Sequence, residues 1–504
     1  RNLVQHDGSY FLFSHALVRE GVYASILPSR CREFHARIAD VIGSRDLQLR
    51  AQHLELAGDP GAAEAYLIAA REARNSTQEE AALKLCKQGS KLEIDAQTNN
   101  EFLRLRGDAL LVLGRTENSI AAFRDALAGS ESDAEKCHAL IGLAEGLRVA
   151  SQYEEAISVL EQAESSMSEM PELIKARIRY LQGSVMFPLG NIDGCRQNHE
   201  ESLKHAKLAQ NAEAEASALS GLGDAHYLRG LMKDAHDRFV QCVEISRKSD
   251  LRRLEVANRH MVGWSRIHLM EFREALDGAL ASAELAASAG NRRAEVSARQ
   301  LSGYASFKLG DYVQAKSGTT AAINLAEEIG AEIFSITSLA IRAQTLKAME
   351  KYDDARAAIT DAVGRLEHTG QSFIGPTVFA VAASLEPNRS ERVRLLSRAE
   401  TILDEGCVSH NYMWCTDVAI EIAYEDQDWE ALDRYAARLR SYTKDQPLGF
   451  ADFLIEKASA LAKLVEGNCG PDFVEKTMAL EHTAKLAELK PEVLFLKKIR
   501  QSVS

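Results

Sequence analysis

Small and apolar side chains recur along this chain at the spacing of a helix turn and, over longer distances, at intervals of 40 residues. The longer interval separates four glycines, Gly183, Gly223, Gly263 and Gly303, and twelve positions after them stand the small residues Cys195, Ala235, Ala275 and Ala315. The series continues as Ala343 with Ala355, and backwards in a looser register as Ala144 with Ala156 and Gly107 with Ser119. A fixed period in this range is typical of stacked helical hairpins, which bury their apolar faces against their neighbours.

The hairpin around Gly223 illustrates the predicted layout. Gly223 lies on the first helix, a turn follows at Arg229–Lys233, and Ala235 and Phe239 lie on the second helix. Because Gly223 and Ala235 are small, the two helices can approach closely, and Phe239 fills the space behind them. We therefore interpret the glycines as packing contacts between paired helices.

The N-terminal residues do not follow the 40-residue spacing. Tyr10–Phe13 has the apolar and aromatic content of a short strand. A helix from about His15 to Leu27 follows it, and Pro28 suits the first turn of a second helix. From about Asp46 the pattern changes to helical hairpins.

The predicted fold is all-α apart from the short strand near the N-terminus, with about nine or ten hairpins wound into a right-handed superhelix. Four regions are expected: residues 1–45, linking hairpins at 46–100, the repeat array at 101–440, and capping helices at 441–504. The array resembles the tetratricopeptide repeat, whose usual period is about 34 residues. The six extra residues would lengthen each helix by most of a turn.

The segment Phe11–Ile42 resembles the end of the ATPase module of bacterial STAND-type signalling proteins. The matching residues are Phe11, Phe13, His15, Ala16, Leu17, Arg19, Glu20, Tyr23, Ser25, Leu27, Arg32, Phe34, His35, Ile38 and Ala39. The resemblance implies that residues 1–45 close a winged-helix-like part of that module. The following Ala51–Ala73 is similar to the hairpin that links such modules to their repeats.

This resemblance implies a regulatory tail whose ATP-binding and output domains lie upstream of Arg1. No GxxxxGK[ST] phosphate-binding motif occurs in the chain. Because the chain ends at Leu494–Ser504 after capping-like helices, the domain order favours a class III adenylate cyclase as the output. The alternatives are a LuxR-like or related transcription activator with the same ATPase, and a free-standing scaffold if Arg1 lies close to the true start.

Net charge, the length of apolar stretches and cysteine usage limit the classes of partner and the compartment that we expect. The net charge is −13, with acidic and basic residues interspersed, whereas a nucleic-acid-binding domain carries a basic face. Apolar stretches such as Val378–Leu385 are far shorter than the roughly 20 residues that span a bilayer. Eight cysteines occur singly, as in proteins of a reducing compartment. We therefore expect a cytoplasmic protein with neither nucleic-acid nor membrane binding.

Sequence motifs for catalysis, cofactor binding or metal binding are weak in this chain. Gly221-Leu222-Gly223 resembles part of a dinucleotide loop, but no strand precedes it and the 40-residue register already explains Gly223. Cys407, His410 and Cys415 cluster loosely in sequence without a fourth metal ligand. We expect no catalytic residue, metal or cofactor within this chain.

The repeat register does predict a candidate binding surface. The inner faces of successive first helices should line a concave groove with Arg177, Tyr180, Phe187, Asp224, Tyr227, His260, Trp264, His268, Tyr304 and Phe307. Aromatic residues make up only 6% of the chain, yet several fall on this stripe. Such a surface suits a protein or peptide partner, a small effector, or the chain's own upstream domains. Alternatively, the rings pack between repeats and set the superhelical pitch.

Overall fold

A computed structural model describes residues 4–7, 10–13, 16–76, 78–467 and 469–502. Two short strands, β1 (Val4–Asp7) and β2 (Tyr10–Phe13), pair antiparallel, with Val4 opposite Phe13. The remainder of the described chain contains 26 helices. They form two compact units, an N-terminal unit (Arg1–Val185) and a C-terminal unit (Met186–Ser504).

The N-terminal unit is a series of helical hairpins. Its helices are α1 (Ala16–Ser25), α2 (Pro28–Ile42), α3 (Leu47–Ala57), α4 (Ala62–Asn75), α5 (Glu79–Gly89), α6 (Ala96–Val112), α7 (Thr116–Ala128), α8 (Asp133–Val149), α9 (Tyr153–Ser165) and α10 (Glu172–Met186). Pro28 opens α2 as expected, and the predicted first-helix start at His15 lies outside the described residues. Gly107 packs on Phe123 of α7, since a Cβ added to Gly107 would lie 2.8 Å from that ring.

The C-terminal unit begins with a regular array. Its helices are α11 (Ile192–Leu208), α12 (Ala212–Arg229), α13 (Met232–Lys248), α14 (Arg252–His268), α15 (Phe272–Ser288), α16 (Arg292–Leu309), α17 (Tyr312–Glu328), α18 (Glu332–Ala348) and α19 (Tyr352–Leu366). We call α12, α14, α16 and α18 the A helices, which begin 40 residues apart. Helices α11 to α18 each have 17 or 18 residues, so the long period is used to lengthen both helices of a hairpin.

The turns of this array share one backbone conformation. A residue with positive φ follows each helix from α10 to α18, and such residues recur every 20 positions: Gly190, Gln210, Gly230, Asp250, Met270, Gly290, Gly310, Gly330 and Glu350. A left-handed residue just after a helix lets the chain reverse direction while its N–H groups bond the last carbonyls. The period of the sequence is therefore also the period of the turns.

Beyond α19 the 40-residue period ends and the chain packs back on the A helices. This return segment comprises α20 (Gly375–Leu385), α21 (Arg389–Glu405), α22 (His410–Glu425), α23 (Trp429–Tyr442), α24 (Gly449–Val465), α25 (Pro471–Leu486) and α26 (Lys490–Gln501). Helix α24 contacts α14, and α26 contacts α16. Tyr442 lies against the turn at Gly230, Gly449 against that at Met270, and Pro491 against that at Gly310.

The glycines spaced 40 residues apart are packing contacts, as the sequence predicts. A Cβ added to Gly223 would lie 2.5 Å from a ring carbon of Phe239, which is fully buried. The same atom on Gly303 would lie 2.7 Å from the Thr319 methyl group. At Gly263 the nearest atom, 2.4 Å away, belongs to Leu301 of the next A helix. The glycines thus bring both paired and successive helices together.

We expect Gly223→Ala to lower the free energy of unfolding by about 1–3 kcal/mol, because the methyl group overpacks a filled core. Urea unfolding followed by circular dichroism measures the change. Adding Phe239→Leu should recover part of the loss. Gly278→Ala is the control: a Cβ at Gly278 meets nothing within 4 Å, and alanine should stabilise that helix by about 0.5–1 kcal/mol. Equal effects at both glycines would contradict the packing role.

Candidate functional site

The C-terminal unit contains a cavity of about 480 Å³ between its A helices and the return segment. One wall comes from α12, α14, α16 and α18, and the other comes from Val408, His410 and Trp414 with Phe373 before α20. Ala257, Arg293 and Phe373 are exposed residues of this lining. The volume falls within the range of small-molecule and short-peptide sites.

Aromatic rings from both walls meet in the cavity. The Trp414 ring centroid lies 4.9 Å from that of Tyr304, 5.4 Å from that of Trp264 and 4.5 Å from that of His410. The Trp264 indole N–H donates to Ser297 Oγ at 3.1 Å. The Trp414 indole nitrogen is buried without a hydrogen-bond partner among the described residues. The aromatic stripe of the array is thus continued by the return segment.

Asp224 contributes a carboxylate to the α12 side of the cavity. The residue is half-buried, and no described residue forms an ion pair or hydrogen bond with its carboxylate. Burial in these surroundings raises the pKa of Asp224 to about 7. This part of the cavity therefore lacks a positive charge to match the carboxylate.

Arg293 lies in the first turn of α16 and is the exposed cation of the cavity. Its guanidinium carbon is 5.3 Å from the centre of the Phe334 ring, and no described carboxylate pairs with it. Burial, and secondarily Arg293, lowers the pKa of His260 to about 4. The cavity therefore carries a positive group near Arg293 and an acidic group at Asp224.

Two further histidines are buried where the array meets α22. Burial lowers the pKa of His410 to about 4 and that of His268 to about 3. His410 Nδ1 lies 3.4 Å from the Tyr227 hydroxyl, and His268 Nδ1 lies 3.5 Å from Met413 Sδ. Both rings are therefore neutral near pH 7 and act as packing partners between the array and the return segment.

The ten residues of the predicted surface occupy three environments. Phe187, Asp224, Tyr227, His260 and Trp264 line the cavity. Tyr304 is buried under Trp414, His268 is buried against Met413, and Phe307 packs near Tyr312 at 6.2 Å between ring centroids. Arg177 and Tyr180 belong to the N-terminal unit. Burial raises the pKa of Asp108 and Glu145 there, and Arg177 is one of the charges that oppose this rise.

Several cavity residues are absent from the predicted surface. Arg293 and Phe334 lie near the start of their A helices, about three helix turns before the repeated small residues Gly303 and Ala343. Both nevertheless lie on the helix face that lines the cavity. A stripe extended toward the N-terminal ends of the A helices would have included both. His410 and Trp414 lie outside the 40-residue register, and no signal in that register indicates them.

Three neighbouring carboxylates form an ion-pair network with two lysines. Ligand oxygens of Asp417, Glu421 and Glu492 lie within 4.8 Å of one another. Lys308 forms an ion pair with Asp417, and Lys457 lies 2.7 Å from Glu492. Because two ammonium groups already compensate these carboxylates, we assign the network to the packing of α22 and α26 on α16 and not to metal binding.

The weak motifs have structural explanations. A Cβ at Gly221 would lie 2.3 Å from the His199 ring, so Gly221 permits close packing of α11 on α12. Among the described residues, Cys407, His410 and Cys415 do not bring ligand atoms together as a metal site requires. All eight cysteines are free thiols. No described helix has the length and apolar content of a bilayer span.

The chain matches no protein-family model and no curated protein. A solved structure of a Rap protein complexed with Competence and Sporulation Factor is similar, with a TM-score of 0.51 and 13% identity over 74% of this chain and 100% of that chain. The chain has a tetratricopeptide-like superhelical repeat fold. The predicted all-α repeat class is therefore confirmed.

Two other similar structures have lower scores. A STAND protein with a tetratricopeptide repeat sensor from Pyrococcus horikoshii has a TM-score of 0.49 and 15% identity, covering 80% of this chain. This chain spans 58% of the length of that protein. NprR in complex with its cognate peptide NprX has a TM-score of 0.42 and 14% identity over 72% of this chain and 98% of that chain.

Proposed function

We propose that this chain is a non-catalytic regulatory module that binds a peptide or small effector in the cavity of its C-terminal unit. The observation that carries the proposal is the cavity itself, which combines aromatic walls with an unpaired carboxylate at Asp224. A half-buried carboxylate without a partner in the protein remains available to pair with a polar group of a ligand. The similar Rap structure holds Competence and Sporulation Factor, which is consistent with a binding role for this fold.

The two walls of the cavity give ligand binding a means of regulation. One wall is the array and the other belongs to the return segment, which also contacts the turns at Gly230, Met270 and Gly310. A ligand that touches both walls favours arrangements in which they are held together. Such differential affinity is what allows a ligand to shift a conformational equilibrium.

The output of this regulation is proposed from the sequence resemblance. Phe11–Ile42 supports an ATP-binding STAND-type module upstream, with a class III adenylate cyclase as the domain it controls and the cytoplasm as its location. A LuxR-like transcription activator is the second candidate because it shares the same ATPase. A free-standing scaffold is the third. The sequence upstream of Arg1 distinguishes these three directly.

Filling the cavity should abolish ligand binding. We expect Ala257→Trp, at an exposed position of the lining, to block the site, whereas Ala357→Trp on the exposed face of α19 should not. The measurement is the thermal stability of the chain in the presence of pooled short peptides and metabolites. A ligand at about 100 times its Kd adds about 2.7 kcal/mol of stability.

The two tryptophan variants make the result decisive. Stabilisation of the parent chain and of Ala357→Trp, with none for Ala257→Trp, is the expected outcome. Equal stabilisation of both variants would place the ligand elsewhere. The absence of any stabilising ligand for the parent chain would count against the binding function.

A further inference from the structure

The ligand class follows from the unpaired carboxylate in the cavity, and this step rests on the proposed binding function. We propose that the ligand is an organic cation, whose ammonium or guanidinium group pairs with Asp224 and whose apolar part lies against Tyr227, Trp264 and Phe187. All four residues line the same cavity.

Charge distribution supports a cation at this position. Asp224 is the acidic residue of the lining, and no described side chain neutralises it. A cation there gains a charge-assisted hydrogen bond in surroundings where water competes poorly. Aromatic faces also attract cations through their quadrupoles. A hydrated metal ion fits less well, because one carboxylate among aromatic rings supplies too few oxygen ligands.

Arg293 gives the ligand an orientation. It lies eleven residues before Tyr304, the position in α16 that corresponds to Asp224 in α12, which is about 16 Å along the helix axis. Its guanidinium repels a cation and so directs the charged group to the Asp224 side. The distance leaves room for an apolar body of several ångströms between the two groups.

The other titratable groups around Asp224 keep their charge between pH 6 and pH 8. Burial lowers the pKa values of His260 and His410 to about 4. On the helices flanking α12, burial raises the pKa of Cys195 and Cys242 to about 12. His199 of α11 has its pKa lowered by burial to about 4, and that of Tyr227 is raised by burial. Asp224 is therefore the group whose titration a bound cation would report.

The test compares probes of matched shape and different charge on the full chain. The cation is 3-phenylpropylamine, the neutral probe is butylbenzene and the anion is 4-phenylbutyrate. Binding is followed by the fluorescence of Trp264 and Trp414 in a Trp429→Phe background, since Trp429 lies exposed on α23. A capped peptide, acetyl-Phe-Ala-Lys-amide, and its norleucine analogue test whether a basic peptide side chain supplies the cation.

We expect the amine or the lysine peptide to bind more tightly than its neutral analogue at pH 8. Asp224→Asn should weaken cation binding about 10- to 100-fold, as the loss of a charge-assisted bond implies. Asp224→Glu should retain part of the affinity. Glu213→Gln, which removes the same charge from the start of the same helix, should have no effect.

The affinity for cations should fall as the pH is lowered. Because the carboxylate ionises near pH 7, cation affinity should fall up to about tenfold per pH unit below pH 7 and level off above it. The Asp224→Asn variant should show no such fall. Preferential binding of the amine alone indicates a small molecule, and preferential binding of the peptide indicates a peptide ligand, and either result supports the proposal.

Two results would overturn the proposal of a cationic ligand in different ways. If neutral or anionic probes bind as well as cations, and Ala257→Trp blocks them, the cavity binds ligands but the cationic class is wrong. If no probe binds, or binding is unaffected by Ala257→Trp, then the proposed binding function fails together with this inference.

Discussion

Asp417→Ala is expected to lower the free energy of unfolding of the C-terminal unit by about 3–5 kcal/mol, because it leaves a buried ammonium group without its partner. Lys308 pairs with Asp417, and their side chains are only 10% and 5% exposed. The ammonium group lies 5.5 Å from the centre of the Phe450 ring and 5.9 Å from that of Tyr304. Urea unfolding at pH 7, followed by circular dichroism, measures the loss.

Replacing both partners separates the buried charge from the packing. The double variant Lys308→Met, Asp417→Leu should be close to the parent chain or more stable, because two well-packed apolar side chains often replace a buried pair without loss. Asp353→Ala breaks the exposed pair with Arg356 and should change stability by less than about 0.5 kcal/mol. A double variant as unstable as Asp417→Ala would refute the role assigned to the pair.

Trp414→Ala is expected to cost about 3–5 kcal/mol, since it removes one of the two indole rings of the aromatic cluster and leaves a space that its neighbours cannot fill. Trp414 is 5% exposed, and its ring contacts those of Trp264, Tyr304 and His410 in tilted arrangements. Unfolding in urea gives the free energy. Near-ultraviolet circular dichroism reports whether the remaining cluster rings lose their fixed packing.

Trp429 is the matched control, because it lies in the same return segment but is 40% exposed. Trp429→Ala should cost less than about 1 kcal/mol. Similar losses at the two tryptophans would mean that the aromatic cluster contributes little to joining α22 to the array. A loss confined to Trp414 would indicate that the cluster stabilises this contact.

Much of the array was predictable from the sequence because its determinants are local. Gly223 and Phe239 are sixteen residues apart, and the same spacing recurs in the contacts of Gly107 with Phe123 and of Gly303 with Thr319. The turn conformations recur at the same interval. Four residues of the predicted surface, among them Asp224 and Trp264, line the cavity because the A helices present equivalent positions on one face, and Phe187 joins them from the turn after α10.

The rest of the site was not predictable from the repeat because it depends on contacts distant in sequence. Lys308 and Asp417 are 109 residues apart, and Tyr227 and His410 are 183 apart. No periodic pattern relates the members of these pairs. Tyr304 and His268 share the predicted face with Trp264, yet the return segment buries them and leaves the Asp224 region open.

The sequence by itself determined the all-α class, the hairpins and the face of each A helix that lies inward, since helix spacing and small residues act within neighbouring hairpins. Only the tertiary structure decided that the return segment packs on that face, which side chains it covers, and where the cavity remains. The physical reason is that burial of Trp414 and pairing of Asp417 depend on the matching of two distant surfaces. Such matching is a property of the folded chain.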